Sequence, residues 1–230
     1  MTGNSAICAE LAGYKENELI FARKLYREKL SSVFTEAAYY KALEKMCKSG
    51  ELIRTANGIY HLPKKSKYGI VPLSENEIVR AFTENGKGTI IGYSLYNKLG
   101  LTTQIPKTIH VMSSSIDEKT KTIKNVVIHR SELIFDNAVE DMIHGLDVLQ
   151  NYDTIQDLDY NAFFSFSRGL AKNYNDVTFE KVIASEKYKK STISFLHDVL
   201  NYFGVSNDLE KYLSSVSRYR HKTMKEICNF

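Results

Sequence analysis

The sequence predicts an α+β fold made of a small N-terminal domain, residues 1–66, and a mixed second domain, residues 67–230. Charge is the first reason: residues 1–70 hold 12 basic and 7 acidic side chains, whereas residues 71–230 hold 19 and 20. The second is an amphipathic helical segment followed by an Asn-Gly hairpin signal near the N-terminus. The third is a proline-free helical pattern from residue 137 onward. The uneven charge predicts a basic N-terminal module joined to a near-neutral one, and the basic excess serves either nucleic-acid binding or solubility.

Composition excludes several classes of protein. With 43% hydrophobic and 25% charged residues among 230, the chain has the composition of a globular protein and can bury a core. No apolar run reaches the length of a membrane span, and residues 1–5 lack the features of a secretion signal. The three cysteines lie far apart without a CxxC pair, so we expect neither disulfides nor a zinc site. We expect a cytoplasmic protein that binds no metal, cofactor or membrane.

The N-terminal domain is predicted to contain a helix, a strand, two helices and a hairpin, in that order. Thr35 is a favourable N-cap, Gly50 is a favourable residue just past a helix end, and Asn57-Gly58 is a strong hairpin turn. The predicted elements are a helix over 5–14 that buries Ile7, Cys8 and Leu11, a strand at 19–21, helices over 23–29 and 35–48, and strands at 52–54 and 59–62.

The second domain follows a predicted linker, residues 64–69, which Pro63 and Pro72 bracket. It begins at a capping box in which Ser74 is the N-cap and Glu77 is its partner. A helix then runs to about residue 84, another covers 93–99, and strands are expected at 105–112 and 120–128 around a turn at 113–118. Apolar stripes after residue 137 predict four or five packed helices, the last starting at Asn207 and carrying Leu209, Leu213 and Val216.

The segment 35–48 divides into an apolar face and a basic face. At 100° per residue, Tyr39, Leu43 and Met46 form the core face, and the opposite face begins with small residues and continues with lysines. Such a helix suits a DNA major groove, and a hairpin directly after it is the layout of a winged helix–turn–helix. Glu44 among the lysines leaves a merely solvated face as the alternative. The predicted DNA contacts are Thr35, Ala37, Ala38, Tyr40, Lys41, Lys45, Lys48, Arg54 and Asn57.

Motifs in both domains resemble those of AbiEi-type antitoxins of bacterial type IV toxin–antitoxin systems, over about residues 15–135. The N-terminal motifs are Ala38-Tyr39-Tyr40-Lys41-Ala42-Leu43, Gly50-Glu51-Leu52 and Asn57-Gly58-Ile59-Tyr60-His61-Leu62-Pro63. The more specific motifs, which in that family open the second, antitoxin domain, are Gly92-Tyr93-Ser94 and Asn97-Lys98-Leu99-Gly100-Leu101-Thr102-Thr103-Gln104-Ile105-Pro106.

The resemblance implies a transcriptional autorepressor with an N-terminal winged helix–turn–helix domain and a mixed, antitoxin-like second domain with a helical C-terminal part. Its implied partners are double-stranded DNA of its own promoter, carrying inverted repeats, and a nucleotidyltransferase-like toxin that it neutralises in abortive infection by phage. The resemblance also implies that neutralisation need not require a stable complex between antitoxin and toxin.

The second motif has two interpretations from its residues alone. Gly92 and Gly100 bracket a two-turn helix, and Gly100 suits a left-handed C-terminal position. The polar side chains around this helix either satisfy backbone groups at a structural corner or form a patch for a partner. As the candidate patch for toxin neutralisation we take Tyr93, Tyr96, Asn97, Thr102, Thr103 and Gln104.

The sequence carries little evidence for an enzyme, and we expect no catalytic residue. The six histidines are scattered, and Glu140 and His144, one helical turn apart, have no evident third ligand for a metal. The main alternative function is a Mg²⁺-dependent, DNA-binding nuclease that uses Asp117 and Glu118 from a predicted turn. A further alternative is a non-catalytic interaction module. The basic cluster at 218–222 is either a second nucleic-acid contact or a solvated helix end.

Overall fold

The structure, a computed structural model, describes residues 3–214 and 219–228. Its contacts divide the chain into two compact units, Met1–Ala81 with Thr122–Lys124 (unit 1) and Phe82–Lys121 with Asn125–Phe230 (unit 2). The main boundary between the units therefore falls at residues 81 and 82, later in the chain than the boundary after residue 66 that the linker signal predicts. Both units contain helices and strands, so the fold class is α+β, as predicted.

Unit 1 has the predicted order of helix, strand, two helices and hairpin. Its antiparallel sheet has the order β1-β3-β2, in which β3 (Ile59–His61) lies between β1 (Leu19–Phe21) and β2 (Ile53–Ala56). His61 of β3 lies opposite both Leu19 and Ile53. The predicted turn residue Gly58 has a φ of 71°, which glycine adopts without strain. The elements are α1 (Gly3–Leu11), β1 (Leu19–Phe21), α2 (Ala22–Leu25), a π-helical turn (Tyr26–Leu30), α3 (Glu36–Lys48), β2 (Ile53–Ala56) and β3 (Ile59–His61).

The apolar core of unit 1 takes one face from each of its first three helices. Cys8 is exposed, contrary to the prediction, because α1 turns only its Ile7 and Leu11 stripe toward this core. The predicted core face of α3 is confirmed. The buried members of the core are Ile7, Leu11, Ile20, Ala22, Leu25, Leu30, Tyr39, Ala42, Leu43, Met46, Leu52 and Tyr60.

Residues 64–71 form a second hairpin rather than the predicted linker. β4 (Lys64–Ser66) pairs antiparallel with β5 (Gly69–Val71), and Gly69 has a φ of 115° that other residues rarely adopt. Pro63 and Pro72 lie just outside the two strands, where a missing N–H removes no hydrogen bond between them. The prolines that suggest a linker therefore flank a short hairpin.

α4 (Glu75–Thr83) runs across the boundary between the units and begins at the predicted capping box. The Glu77 N–H donates to Ser74 Oγ at 3.2 Å, and the Ser74 N–H donates to Glu77 Oε2 at 2.7 Å. This reciprocal pair satisfies two donors that the helix itself leaves free. A 3₁₀ turn (Glu84–Gly86) leads into the strands of unit 2.

The strands of the second sheet differ from the prediction in three places, the first being that the strand predicted at 105–112 begins only at Ile109. β6 (Gly88–Ile91), β7 (Ile109–Ser113), β8 (Thr120–Ile123) and β9 (Val126–Arg130) form a sheet of order β6-β7-β9-β8, with β6 antiparallel and β9 parallel to β7. β6 is absent from the prediction because its glycine is typical of a helix terminator. The single strand predicted at 120–128 is two strands, because Lys124 adopts a φ of 54° and turns the chain between them.

The helices of unit 2 pack into one apolar core around α6 (Asn137–Asn151), α7 (Tyr160–Lys172) and α9 (Lys190–Tyr202). The helix predicted from Asn207 is only a 3₁₀ turn (Leu209–Tyr212), because Leu213 is extended; Val216 lies outside the described residues. No helix in 3–214 or 219–228 is both long and apolar enough to cross a membrane. The helices are α5 (Tyr93–Lys98), α6 (Asn137–Asn151), followed by a 3₁₀ turn (Tyr152–Thr154), α7 (Tyr160–Lys172), α8 (Asp176–Ser185), α9 (Lys190–Tyr202) and α10 (Met224–Cys228).

Candidate nucleic-acid interface

α3 is fixed at both ends by the residues that the sequence singles out. The Thr35 side chain caps it by accepting a hydrogen bond from the Ala38 N–H at 3.3 Å, and Glu36 places a negative charge in the first turn. Gly50, with a φ of 77°, follows the C-terminal end. These contacts hold the first turn, which carries Ala37 and Ala38, in a defined position.

The inner face of α3 is anchored through Tyr39. This side chain is fully buried, its hydroxyl donates to the carbonyl oxygen of Ala22 at 3.1 Å, and its ring stacks on Tyr26 with centroids 5.3 Å apart. Burial raises the pKa of Tyr39 well above its usual value, so the hydroxyl keeps its proton. Because Ala22 and Tyr26 belong to the helical segment before α3, this contact fixes the rotation of α3 about its axis.

The outer face of α3 is exposed and mostly basic. Ala37, Ala38, Lys41 and Lys45 are all solvent-exposed, as the helical-wheel argument predicts. With methyl groups at its start and long cationic side chains further along, this face can approach a duplex closely and still reach phosphates. It is the candidate interface.

Two predicted contact residues on α3 are less available than the sequence suggests. Lys48 forms an ion pair with Glu44, 2.7 Å from Nζ to Oε1, and the hydrogen bond from Lys48 lowers the pKa of Glu44. Glu44 therefore stays ionised and neutralises part of the positive charge at the C-terminal end of α3. Tyr40 is half-buried and its ring contacts Tyr39 edge to face, with centroids 5.3 Å apart. Part of the Tyr40 side chain is therefore unavailable to a ligand.

The β2–β3 hairpin carries the other two predicted contacts, and they bind each other. The Arg54 guanidinium donates to the Asn57 side-chain carbonyl at 2.8 Å, and both residues are exposed. Behind them, the Thr55 hydroxyl lies 2.7 Å from Nδ1 of the buried His61, whose pKa burial lowers. Asn57 therefore restricts the conformations of Arg54, so that its remaining N–H groups stay available for an anion.

The charge of unit 1 agrees with an anionic ligand. Unit 1 contains 14 basic and 9 acidic residues, a net charge of +5, whereas unit 2 contains 17 and 18. The asymmetry seen in the sequence thus persists when the chain is divided by its contacts. A net positive unit attracts polyanions at long range and speeds their association.

The candidate antitoxin residues lie around α5 in unit 2, and most of them hold one corner of the fold together. Tyr93 Oη donates to the carbonyl oxygen of Thr154 at 2.6 Å, and Thr102 Oγ1 donates to that of Gln156 at 2.6 Å. Gln104 Nε2 donates to Asp157 Oδ2 at 2.5 Å. These three bonds join the motif to the turn after α6.

Two of the six candidate residues cannot contact a partner directly. Tyr96 and Thr102 are 1% and 4% exposed, so their inclusion in a surface patch is corrected. The Tyr96 hydroxyl donates to the carbonyl oxygen of Asp147, and burial raises the pKa of Tyr96. The structural-corner interpretation therefore accounts for the inner residues of the motif, while Asn97 and Thr103 remain on the exposed side.

The carboxylates of the nuclease alternative lie at the surface. Asp117 and Glu118 are exposed, and Glu118 Oε1 forms an ion pair with Lys121 Nζ at 2.8 Å. Within the described part of the chain, no three His, Cys, Asp or Glu side chains form a group that could hold a metal ion. In the basic cluster at 218–222, Arg218 lies outside the described residues. His221 stacks on Phe195 with centroids 4.9 Å apart.

Sequence reasoning missed a partly buried polar cluster in unit 2. It noted Glu140 and His144 on one helix but not Thr89 on β6, whose hydroxyl donates to Glu140 Oε2 at 3.0 Å and lies 2.7 Å from His144 Nε2. Burial lowers the pKa of His144 to about 4. No local pattern indicates such a contact, because it joins positions more than fifty residues apart.

The chain belongs to the family of unknown function DUF6088, which matches residues 21–157. That match covers more than half of the chain and runs from β1 through α6. No curated protein matches the sequence. Among solved structures, the RV2827C protein from Mycobacterium tuberculosis is similar, with 11% sequence identity and a TM-score of 0.44 over 89% of this chain and 78% of that chain.

Proposed function

We propose that this protein is a DNA-binding transcriptional repressor that also serves as the antitoxin of a type IV toxin–antitoxin pair. Unit 1 is then a winged helix–turn–helix domain that reads the protein's own promoter. The observation that carries the DNA-binding part is the outer face of α3, where two alanines and two lysines are exposed opposite a buried apolar face. The antitoxin part rests on the sequence motifs alone.

The connectivity of unit 1 supports the proposal. α2 with its π-helical turn, then α3, then the β2–β3 hairpin follow one another directly, and β1 pairs with β3. In this role α3 is the recognition helix and the hairpin is a wing. Arg54, held by Asn57, would then bind a phosphate, and the N-terminal end of α3, with Thr35, Ala37 and Ala38, would enter the groove.

Removal of the α3 lysines tests the DNA contact. For Lys41→Gln with Lys45→Gln, we expect weaker binding to a duplex from the protein's own upstream region. Without these two phosphate-binding charges, the slope of log K against log salt should become less steep by about 1.8. Affinity should decrease by the same factor for every DNA sequence. Fluorescence anisotropy over a salt series measures both quantities. The matched control is Lys172→Gln with Lys181→Gln, two exposed lysines of unit 2. Unchanged affinity and slope in the α3 variant would show that this face does not bind DNA.

Glu44→Gln makes the opposite prediction. The substitution frees Lys48 from its ion pair and removes a negative charge that faces the DNA phosphates. We expect tighter binding and a salt slope steeper by up to about 0.9, the value for one further neutralised phosphate. If Glu44→Gln weakens binding in the same anisotropy series, then Glu44 contributes to the interface and the proposed orientation of α3 is wrong.

The same duplex separates repressor from nuclease. We expect a mobility shift without cleavage, in the presence and in the absence of Mg²⁺. Strand cleavage that requires Mg²⁺ and disappears in Asp117→Asn with Glu118→Gln would replace the proposal with the nuclease alternative. A protein that neither shifts nor cleaves its upstream DNA would instead fit the interaction module.

Growth rescue tests the antitoxin part. Co-expression with the nucleotidyltransferase-like toxin expected in the neighbouring gene should restore growth, and Lys41→Gln with Lys45→Gln should rescue equally well. Thr103→Ala, on the exposed side of the α5 motif, should reduce rescue without changing the melting temperature. If Thr103→Ala rescues fully, this residue is not part of the antitoxin surface. If the wild-type chain gives no rescue, the antitoxin function is wrong.

A further inference from the structure

The β4–β5 hairpin is a basic projection of unit 1. Its register places Lys64 opposite Val71 and Lys65 opposite Ile70, and the turn consists of Lys67 and Tyr68. Residues 64–71 contain three lysines and no acidic residue, and all except Val71 are exposed. Lysines on a short strand pair also discourage edge-to-edge association, so the charge alone does not identify a ligand.

The tip of this hairpin also carries an exposed aromatic residue, Tyr68, which points to a ligand independently of the charge. Its side chain is 88% exposed, and the Lys67 ammonium lies 4.8 Å from the centre of its ring. The turn itself is ordered by Ser66, whose hydroxyl accepts from the Tyr68 N–H at 3.2 Å and donates to the Gly69 carbonyl at 3.0 Å. A large aromatic ring held out in solvent beside a cation is not explained by solubility or by edge protection.

The point at which the hairpin leaves the sheet relates it to α3. Only Leu62 and Pro63 separate β3 from β4, so the Cα atoms of His61 and Lys64 lie at most about 10 Å apart. His61, the last residue of β3, lies opposite Ile53, the first residue of the strand that follows α3. The hairpin therefore starts at the end of the sheet to which the C-terminal turn of α3 connects, and that turn carries Lys45 and Lys48.

We propose that residues 64–71 form a second DNA-binding arm, which contacts the sugar–phosphate backbone of the same duplex outside the base pairs read by α3. This inference rests on the proposed function. Lys64, Lys65 and Lys67 bind phosphates, and the Tyr68 ring packs against the sugar edge beside them. Such contacts carry no sequence information, so the arm raises affinity and lengthens the protected site without changing which sequence is preferred.

The test uses the full chain carrying Lys64→Gln, Lys65→Gln and Lys67→Gln together. For each phosphate that the arm no longer neutralises, we expect the salt slope to fall by about 0.9 and affinity near 0.15 M salt to fall about fivefold. The decrease should be equal on the upstream duplex and on an unrelated duplex of the same length. Footprinting should show a protected site shortened at its edge. The control is Lys172→Gln, Lys181→Gln and Lys187→Gln, which makes the same charge change with exposed lysines of unit 2.

Tyr68 variants separate the ring from the charge. Tyr68→Ala should weaken binding about fivefold or more while leaving the salt slope unchanged, because a neutral contact releases no counterions. Tyr68→Phe should bind like the wild type. The melting temperature of each variant should equal that of the wild type, because every substituted side chain is exposed.

Four outcomes decide the inference. If the wild type binds its upstream duplex but the triple lysine variant keeps affinity, slope and footprint, the arm does not contact DNA and only the proposed function stands. If Tyr68→Ala binds like the wild type, the ring makes no contact. If the hairpin variants change the sedimentation of the free protein but not the slope, the surface joins protein copies and the inference is wrong. If the wild type binds no DNA, the proposed function and the arm fall together.

Discussion

Tyr39 links the core of unit 1 to the candidate interface at the scale of a single residue. Its ring lies within the apolar cluster, and its hydroxyl is bonded to the Ala22 carbonyl across seventeen residues of chain. The exposed lysines of α3 owe their orientation to this buried anchor. A change at Tyr39 should therefore alter stability first, and the proposed DNA binding only through folding.

Tyr39→Phe should lower the free energy of unfolding by about 1 kcal/mol, since it leaves the buried Ala22 carbonyl without this donor. Tyr39→Ala should cost about 3–5 kcal/mol, because it also leaves a cavity. Urea denaturation followed by circular dichroism measures both. Tyr68→Phe is the matched control, and it should stay within about 0.5 kcal/mol of the wild type because that hydroxyl is in solvent. Equal effects of the two Tyr→Phe changes would contradict the role of the Tyr39 bond.

His144 makes unit 2 sensitive to acid. Burial lowers the pKa of its imidazole to about 4, against an ordinary value near 6.5 in an unfolded chain. Between these values the unfolded state binds a proton that the folded state does not. The contribution of His144 to the free energy of unfolding is therefore fully present above the unfolded pKa and is lost as the pH falls through this window. The Thr89 hydroxyl, which donates to Glu140, lies 2.7 Å from Nε2 of this imidazole.

We expect the free energy of unfolding to fall by about 2 kcal/mol between pH 7 and pH 5 through His144 alone. His144→Gln keeps an amide N–H that can donate to Thr89 but has no titrating group, so this variant should lack that part of the pH dependence. Urea denaturation of both proteins at the two pH values gives the difference. If the two proteins show the same change with pH, protonation of His144 is not coupled to unfolding.

At the scale of elements, β6 depends on a glycine for its place in the second sheet. A Cβ atom on Gly88 would lie 2.2 Å from the Met112 carbonyl oxygen and 2.5 Å from that of Phe82. Both are backbone atoms, which cannot rotate away as a side chain can. By contrast, a Cβ on Gly169 in α7 would meet nothing within 4 Å. The packing of β6 therefore requires a glycine at position 88, whereas nothing around position 169 requires one.

Gly88→Ala should destabilise the chain by at least about 3 kcal/mol or prevent folding, because β6 must separate from β7 or α4 must shift. Gly169→Ala should instead stabilise by about 0.5–1 kcal/mol, since alanine costs less backbone entropy in an open helical position. Thermal melts of both variants measure this. A Gly88→Ala protein that melts at the wild-type temperature would show that β6 does not pack as described.

The sequence predicts elements whose signals are local and misses those set by distant contacts. Thr35, Gly58 and the Ser74 capping box act on their own neighbours through hydrogen bonds or a positive φ, so their positions are confirmed. β6 has only four residues and pairs with a strand about twenty residues later, and its glycine suggests an ending. The parallel pairing of β7 with β9 likewise leaves no mark in either segment.

The candidate interface, too, is predictable from the sequence where its signals are local. The exposed face of α3 is predictable because helical periodicity alone separates it from Tyr39, Leu43 and Met46. The burial of Tyr96 is not predictable in this way, because it depends on how side chains pack in the folded chain. The ion pair of Lys48 with Glu44 is absent from the prediction, although their spacing of four residues on α3 is a local signal that favours it. The hairpin at 64–71 resembles a linker in sequence because lysine, serine and glycine occur in both.

At the scale of the whole molecule, the contacts extend the N-terminal unit beyond the boundary at residue 66 that the sequence predicts. Three features beyond residue 66 belong to unit 1: Leu73 and Ile78, which are 3% and 0% exposed, and Glu77, which accepts from the buried Asn17 side chain at 3.2 Å. Lys124 also donates to the Leu73 carbonyl. A fragment that ends at residue 66 lacks all of them.

We therefore expect a fragment of residues 1–86, which keeps α4 whole, to unfold cooperatively, and a fragment of residues 1–66 to be markedly less stable. Absence of Glu77 alone leaves the buried amide of Asn17 without its partner, which costs about 1–3 kcal/mol, and the apolar contacts of Leu73 and Ile78 add to this. Thermal melts by circular dichroism and amide proton dispersion distinguish the two fragments. The 1–86 fragment should also bind the upstream duplex with a salt slope close to that of the full chain, because the proposed contacts on α3, β2 and residues 64–71 are all present. If residues 1–66 melt as cooperatively and at the same temperature as residues 1–86, then residues 67–81 are not part of the folding unit and the earlier boundary predicted from the sequence is the correct one.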